Sequence, residues 1–141
     1  MAKYDAMSAL CPSRNVLAHI SDKWTVLVLA VLVGGTTRFN ELRRRIDGIT
    51  QKMLTRTLRE LEENGFVSRR IYAEVPPRVE YSLTPLGHSL VKVLDTVREW
   101  VNRHAGDVVT ARERFARGEA LRAASGRRGA GARGRSARAT A

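Results

Sequence analysis

Val26 to Val33 is an unbroken run of eight apolar residues, preceded by Lys23-Trp24 and followed by Gly34-Gly35. A helix that is apolar on every side belongs at the centre of a core. The run is also the longest of its kind in the chain, far short of the ~20 residues that span a bilayer. It therefore predicts a buried central helix, started by Ser21 or Asp22 as N-cap and stopped at Gly34-Gly35.

Other elements follow on both sides. Pro12 suits the first turn of a helix, and Val16, Leu17 and Ile20 give that helix, about residues 12–20, one buried face. Phe39, Leu42 and Ile46 mark a third helix, with Thr36 or Thr37 as a plausible cap and Arg43, Arg44 and Arg45 at its end, where cations suit the helix dipole. Thr50 is a plausible cap for a fourth helix that ends at Asn64-Gly65. The pattern then changes. Phe66–Ala73 and Arg78–Thr84 are β-prone, with Val79, Tyr81 and Leu83 alternating, and Glu-Val-Pro-Pro forms the tip between them. Thr84-Pro85 opens a helix with Leu86, Leu90, Val93, Leu94, Val97 and Val101 on one stripe, running to about His104. The fold class is mainly α with a small β-hairpin wing. Two short helices followed at once by a hairpin describe a winged helix-turn-helix.

The domains read as an N-terminal arm over residues 1–11 and a winged helix-turn-helix with a dimerisation helix over 12–106. Residues 107–124 form a possible helical extension that Gly118 interrupts. The Arg/Gly/Ala-rich tail of residues 125–141 has no large apolar residue and is expected to be disordered. Of the formal charge of +11, residues 1–104 carry +5 and residues 105–141 carry +6. The excess suggests a polyanionic partner, most simply nucleic acid, although more than half of it lies outside the predicted domain. The N-terminus is no signal peptide, and one cysteine allows no internal disulfide. A cytoplasmic protein working beside a bacterial or archaeal nucleoid is expected, with no membrane partner.

The fourth helix divides cleanly. At about 100° per residue, Gln51, Lys52, Thr55, Arg56 and Arg59 share one sector, and Met53, Leu54, Thr57, Leu58 and Leu61 share the other. Arginine can bind guanine bidentately and glutamine can pair with adenine; Lys, Thr and backbone N–H groups mostly meet phosphate. The candidate DNA-binding residues are thus Thr50, Gln51, Lys52, Thr55, Arg56 and Arg59, with Arg69, Arg70 and Arg78 of the hairpin beside a neighbouring backbone or minor groove. Glu62 and Glu63 lie on the same side at the helix end, compatible with DNA when the helix enters by its N-terminal half. A plain solvated helix face, and arginines that merely solubilise a sheet edge, are the bland readings.

Cys11-Pro, Asp22-Lys-Trp24, Arg38-Phe-Asn-Glu-Leu42, Ile49-Thr-Gln-Lys-Met-Leu-Thr55, Leu58-Arg-Glu-Leu-Glu-Glu-Asn-Gly65, Val75-Pro-Pro-Arg-Val-Glu-Tyr81 and Leu83-Thr-Pro-Leu-Gly87 stand in order along the chain. Over about residues 8–104 this resembles the HxlR-type transcriptional regulators, winged helix-turn-helix proteins related to the MarR group. The resemblance implies a homodimer, with helices from both ends of the fold between subunits. It also implies double-stranded operator DNA with two half-sites, and repression as the usual outcome. Many members sense oxidants or electrophiles such as quinones and aldehydes through an N-terminal cysteine, and Cys11 matches that position. The second cysteine that some members use is absent.

The residues speak to two of these points directly. The stripe from Leu86 to Val101, with Trp100 beside it, is more apolar surface than a small core needs, unless that helix packs only within its own chain. Cys11 precedes a helix N-terminus with Arg14 three residues on, and both features favour thiolate, the form that oxidants and electrophiles attack. The bland reading of Cys11 is a small residue whose sulfur does nothing. Two other functions are weighed: a regulator answering to an aromatic or lipophilic effector near the Trp24 helix, without a thiol step, and a sequence-independent DNA-coating protein. His19, His88 and His104 are isolated, and no phosphate-binding glycine loop, H-E-x-x-H motif or triad context is present. No enzyme activity, cofactor or metal is expected.

Overall fold

The computed structural model describes residues 3–132. Its elements are α1 (Pro12–Ile20), α2 (Lys23–Leu32), β1 (Thr37–Arg38), α3 (Phe39–Arg45), α4 (Gln51–Glu63), β2 (Val67–Tyr72), β3 (Arg78–Leu83) and α5 (Pro85–Ala132). They fall into two units divided between Val97 and Arg98. The first unit is mostly helical, with a three-stranded antiparallel sheet in the order β1-β3-β2.

Asp22 is the cap of α2; its carboxylate accepts from the backbone N–H groups of Trp24 and Thr25. Val28, Leu29 and Leu32 of that helix are at most 1% exposed and meet Leu42 of α3, Leu54, Leu58 and Leu61 of α4, Val67 of β2 and Tyr81 of β3. Burying a side chain of this size contributes about 1.5–3 kcal/mol, so α2 and α4 are locked face to face. Among the described residues no single helix is long and apolar enough to cross a membrane, although α1 and α2, bent by 70°, pass that test as a pair.

An expectation about burial is corrected first: Val16 and Leu17, read as a buried face of α1, are 39% and 50% exposed, and of that face only Ile20 packs partly against the core. Two expectations about element bounds are corrected as well. Neither Thr36 nor Thr37 caps α3. Thr37 and Arg38 instead pair with Tyr81 and Glu80 as a third strand. The Thr37 hydroxyl donates to the carbonyl of Gly35 at 2.9 Å, and the cap position falls to Arg38, whose side chain makes no capping bond. A β-branched residue next to an open strand edge gains more from the ladder than from a cap. Second, no break falls near His104, Gly118 or Ser125. Helix α5 is continuous to Ala132, because a helix-interior glycine costs only about 0.5–1 kcal/mol and the Ala, Arg, Glu and Leu around Gly118 are strong helix formers. The rest of the expected tail, residues 133–141, lies outside the described residues.

The join between α4 and the wing is tightly specified. Gly65 has φ +78° and follows the C-cap Asn64. The N–H of Gly65 bonds to Glu62 O and that of Phe66 to Leu61 O, at 3.0 and 2.9 Å, a Schellman closure that only glycine enters without strain. Thr84 then ties the start of α5 to this corner: its hydroxyl donates to Gly65 O at 2.6 Å and accepts from Gly87 N at 3.1 Å. Gly87 lies so close that a Cβ there would sit 2.1 Å from the Phe66 carbonyl oxygen. In α5 the deeply buried residue is Val91, outside the expected stripe, and Leu90 and Leu94 pack partly against the core. Leu86, Val93 and Val97 remain exposed.

The two glycines of α5 therefore predict opposite outcomes for the same substitution. Gly87→Ala should destabilise by about 1–3 kcal/mol or more, as overpacking against backbone does. Gly118→Ala, with nothing within 4 Å of the new methyl, should stabilise by about 0.5–1 kcal/mol. Thermal unfolding of both variants checks this; equal shifts would contradict it.

Candidate nucleic-acid interface

The outward sector of α4 follows from its buried one. Leu54, Thr57, Leu58 and Leu61 are buried, which leaves Gln51, Lys52, Thr55, Arg56 and Arg59 exposed. These five line one shallow groove along the helix. Thr50 is the N-cap, its hydroxyl accepting from Met53 N at 3.1 Å. The Thr55 hydroxyl donates to Gln51 O at 2.8 Å, so its proton is engaged inside the helix. Among the described residues, Lys52 and Arg56 have no carboxylate within ion-pair distance.

Arg59 differs. Its Nε lies 3.1 Å from Glu63 Oε1. Arg69 differs likewise, with Nε 3.5 Å from Glu62 Oε2. Thr55, Arg59, Glu62, Glu63, Arg69 and Tyr81 line a second cleft that shares Thr55 and Arg59 with the first. Burial pushes the Tyr81 phenol above its usual pKa, against the charge of Arg69. The i, i+4 spacing of Arg59 and Glu63 is a pairing signal readable in the sequence; the Arg69–Glu62 pair needs the hairpin register.

That register separates the three wing arginines. Arg69 stands opposite Tyr81, Arg70 opposite Glu80 and Tyr72 opposite Arg78. Successive strand residues face opposite sides, so Arg69 joins the α4 cluster while Arg70 and Arg78 occupy the other face. There the Arg78 guanidinium lies 4.0 Å from the Tyr72 ring centroid and Arg70 lies 4.9 Å from it. Arg78 also pairs with Glu74 and Glu80 at 3.3 and 3.4 Å, and Arg38 of β1 reaches Glu80 at 3.9 Å. Arg78 is only 27% exposed. It braces the wing, whereas Arg70 keeps an exposed position.

Cys11 is the N-cap residue of α1 and is partly exposed. Its sulfur accepts from Ser13 Oγ at 3.0 Å and from Asp5 N at 3.3 Å. Hydrogen bonds from Ser13, side chain first and backbone second, and from the Asp5 N–H hold the thiol below its usual pKa against a small desolvation. Arg14 is not the cause. Its Nε and Nη2 donate to the carbonyls of Ala6 and Met7, at 3.2 and 2.8 Å, and fasten the arm. Ser13 and Asp5 were not singled out from sequence, because the arm's turn that brings Asp5 back to Cys11 has no composition signal. Trp24 packs against the core, with the Lys23 ammonium 4.6 Å from its ring centroid.

A capped helix with an apolar inner face and a cationic outer face, set beside a three-stranded wing, defines a winged helix-turn-helix DNA-binding protein. The HxlR-like helix-turn-helix family model matches residues 19–108, and the chain belongs to that family. The uncharacterized HTH-type transcriptional regulator YtfH of Escherichia coli strain K12 is 45% identical over 103 residues, which are 73% of this chain and 82% of that protein. Among solved structures, ytfH from Salmonella typhimurium superposes with a TM-score of 0.75 at 41% identity, covering 79% of this chain and 99% of its own. The redox regulator HypR in its oxidized form gives a TM-score of 0.60 at 44% identity, covering 66% of this chain and 96% of its own. The chain is a helix-turn-helix transcriptional regulator, not an enzyme, and DNA is the partner its family implies.

The two sets of cations should separate in measurement. Lys52→Ala should leave thermal stability unchanged, weaken binding to all duplexes alike and reduce the slope of log K against log salt by about 0.9. Arg78→Ala should instead lower the unfolding midpoint, by the equivalent of about 1–2 kcal/mol for a partly desolvated cation–π contact.

Proposed function

We propose that this chain is a homodimeric repressor that binds a two-half-site operator through α4 and the wing, and whose affinity changes when Cys11 is oxidised or alkylated. The observation that carries the DNA reading is the segregation of α4 into a leucine face and an unpaired Gln51, Lys52, Arg56 face. Bases meet Gln51 and Arg56; phosphates meet Lys52, the Thr50 region at the helix N-terminus, and Arg70.

The dimer reading rests on apolar surface left uncovered. Leu86, Val93 and Val97 on α5, Val16 and Leu17 on α1, and Val108, Val109, Phe115 and Leu121 further along α5 are all at least 39% exposed. Such residues scattered singly need no explanation, but a run of them along one helix marks an interaction surface. A two-fold pair would set two recognition helices roughly 34–36 Å apart.

The switch reading rests on the sulfur's surroundings. A thiol held below its usual pKa is more fully thiolate at neutral pH, and thiolate is the nucleophile. The same sulfur is an acceptor for the arm through Asp5, so an adduct there removes an arm contact at the start of α1. A coupling of ~1–3 kcal/mol would change DNA affinity about 5–150-fold. The name of HypR, a redox regulator, fits this direction.

Gel-shift titration of the wild type and Cys11→Ser on DNA upstream of the protein's own gene, with and without diamide, tests the switch. The wild type should lose affinity on treatment and Cys11→Ser should not; an equal response of both ends the proposal. The pH profile of iodoacetamide alkylation gives a second check. Its midpoint should lie below that of a free cysteine, and Ser13→Ala should move it upward, because removing a donor to the sulfur disfavours thiolate.

A further inference from the structure

Two arginines on the DNA-facing side already hold carboxylates. Arg59 pairs with Glu63 and Arg69 with Glu62, at 3.1 and 3.5 Å. Both acids belong to the last turn of α4, and both pairs line the cleft that continues the groove of Gln51, Lys52 and Arg56. The surface is therefore divided: an N-terminal half with unpaired cations and a C-terminal half whose cations are neutralised.

We propose that Glu62 and Glu63 determine specificity, by withholding Arg69 and Arg59 from any duplex on which α4 does not seat fully. This rests on the DNA-binding reading above. The pairs are exposed, 79% and 60% for Arg59 and Glu63, 45% and 40% for Arg69 and Glu62. Exposed pairs are weak because solvent screens them, so each opens readily once a phosphate oxygen is presented at hydrogen-bond distance. On the operator, base contacts from the N-terminal half hold the helix deep enough to present it, and the arginines exchange carboxylate for phosphate. On a random duplex the helix stays shallow. The exchange then fails, and the two carboxylates face the phosphate backbone as like charges. Selectivity gained by a repulsive element against the wrong partner is a general route to discrimination.

The pairing is built into the fold, not a matter of two flexible side chains meeting. Arg59 and Glu63 are one helical turn apart. Arg69 is fixed opposite Tyr81 in the hairpin register, and the Schellman corner at Gly65 sets how β2 leaves α4. Glu60, one residue before Leu61, points elsewhere: its Oε2 lies 3.7 Å from His19 Nδ1 of α1.

The test uses the full chain with Glu62→Gln, Glu63→Gln, the double variant, and Glu60→Gln as a control carrying the same change in net charge, on the same helix, as either single variant. The probes are a random-sequence duplex pool and a duplex enriched from that pool by repeated selection on the wild type. For the double variant, affinity for random duplex should rise about 3–10-fold, with a salt slope steeper by up to about 1.8, at ~0.9 per added phosphate contact. Affinity for the selected duplex should change less, so the ratio between them falls. Each single variant should give about half the change in slope, and Glu60→Gln should match the wild type. The proposal is overturned if the double variant leaves random-duplex affinity and slope unchanged or strengthens both probes equally, or if neither single variant changes them more than Glu60→Gln does. If the wild type itself enriches no preferred duplex, the DNA-binding reading fails instead, before any variant is compared.

Discussion

The apolar contact between α2 and α4 governs everything that the surface of this protein can do. Val28, Leu29 and Leu32 face Leu54, Leu58 and Leu61, and burial of these six side chains leaves α4 one rotational setting. The cationic sector is then outward by geometry, with no further interaction needed to orient it. A single polar replacement among the six would do more than weaken the core. It would remove the reason for Lys52 and Arg56 to share a face with Gln51.

Charge acts within that frame and less freely than the headline value suggests. The chain is +11 overall, yet several of its cations are neutralised locally: Arg59 and Arg69 beside the recognition surface by Glu63 and Glu62, and elsewhere Arg78 by Glu74 and Glu80 and Arg44 by Glu41. What remains uncompensated beside the helix is a compact set at its N-terminal half. This pattern suits a protein that must leave most DNA quickly and stay on a little of it, since sequence-independent affinity grows with every free phosphate contact.

Much of this was legible in the sequence because it is encoded in local periodicity. The all-apolar run at Val26–Val33, the two faces of α4 and the Thr50 cap are short-range signals, and each element stands where the pattern puts it. The features that escaped depend on residues distant in the chain. Strand β1 is two residues long and exists only because Tyr81 and Glu80 are there to pair with it. The sorting of Arg69 from Arg70 and Arg78 needs the hairpin register, and the donors around Cys11 need a turn that carries Asp5 back to it. Helix α5 escaped for a different reason: Gly118 looks like an interruption, but a glycine weakens a helix without ending it when its neighbours are strong helix formers.

In the reading proposed above, α4 enters the major groove in pairs, with its N-terminal half foremost. Dimethyl sulfate and hydroxyl-radical footprinting of the wild type on its selected duplex tests it most directly. Two patches of major-groove guanine protection are expected, centred one helical turn apart, roughly 34–36 Å, each flanked by backbone protection from the wing. A single patch, or uniform backbone protection without groove protection, would contradict it.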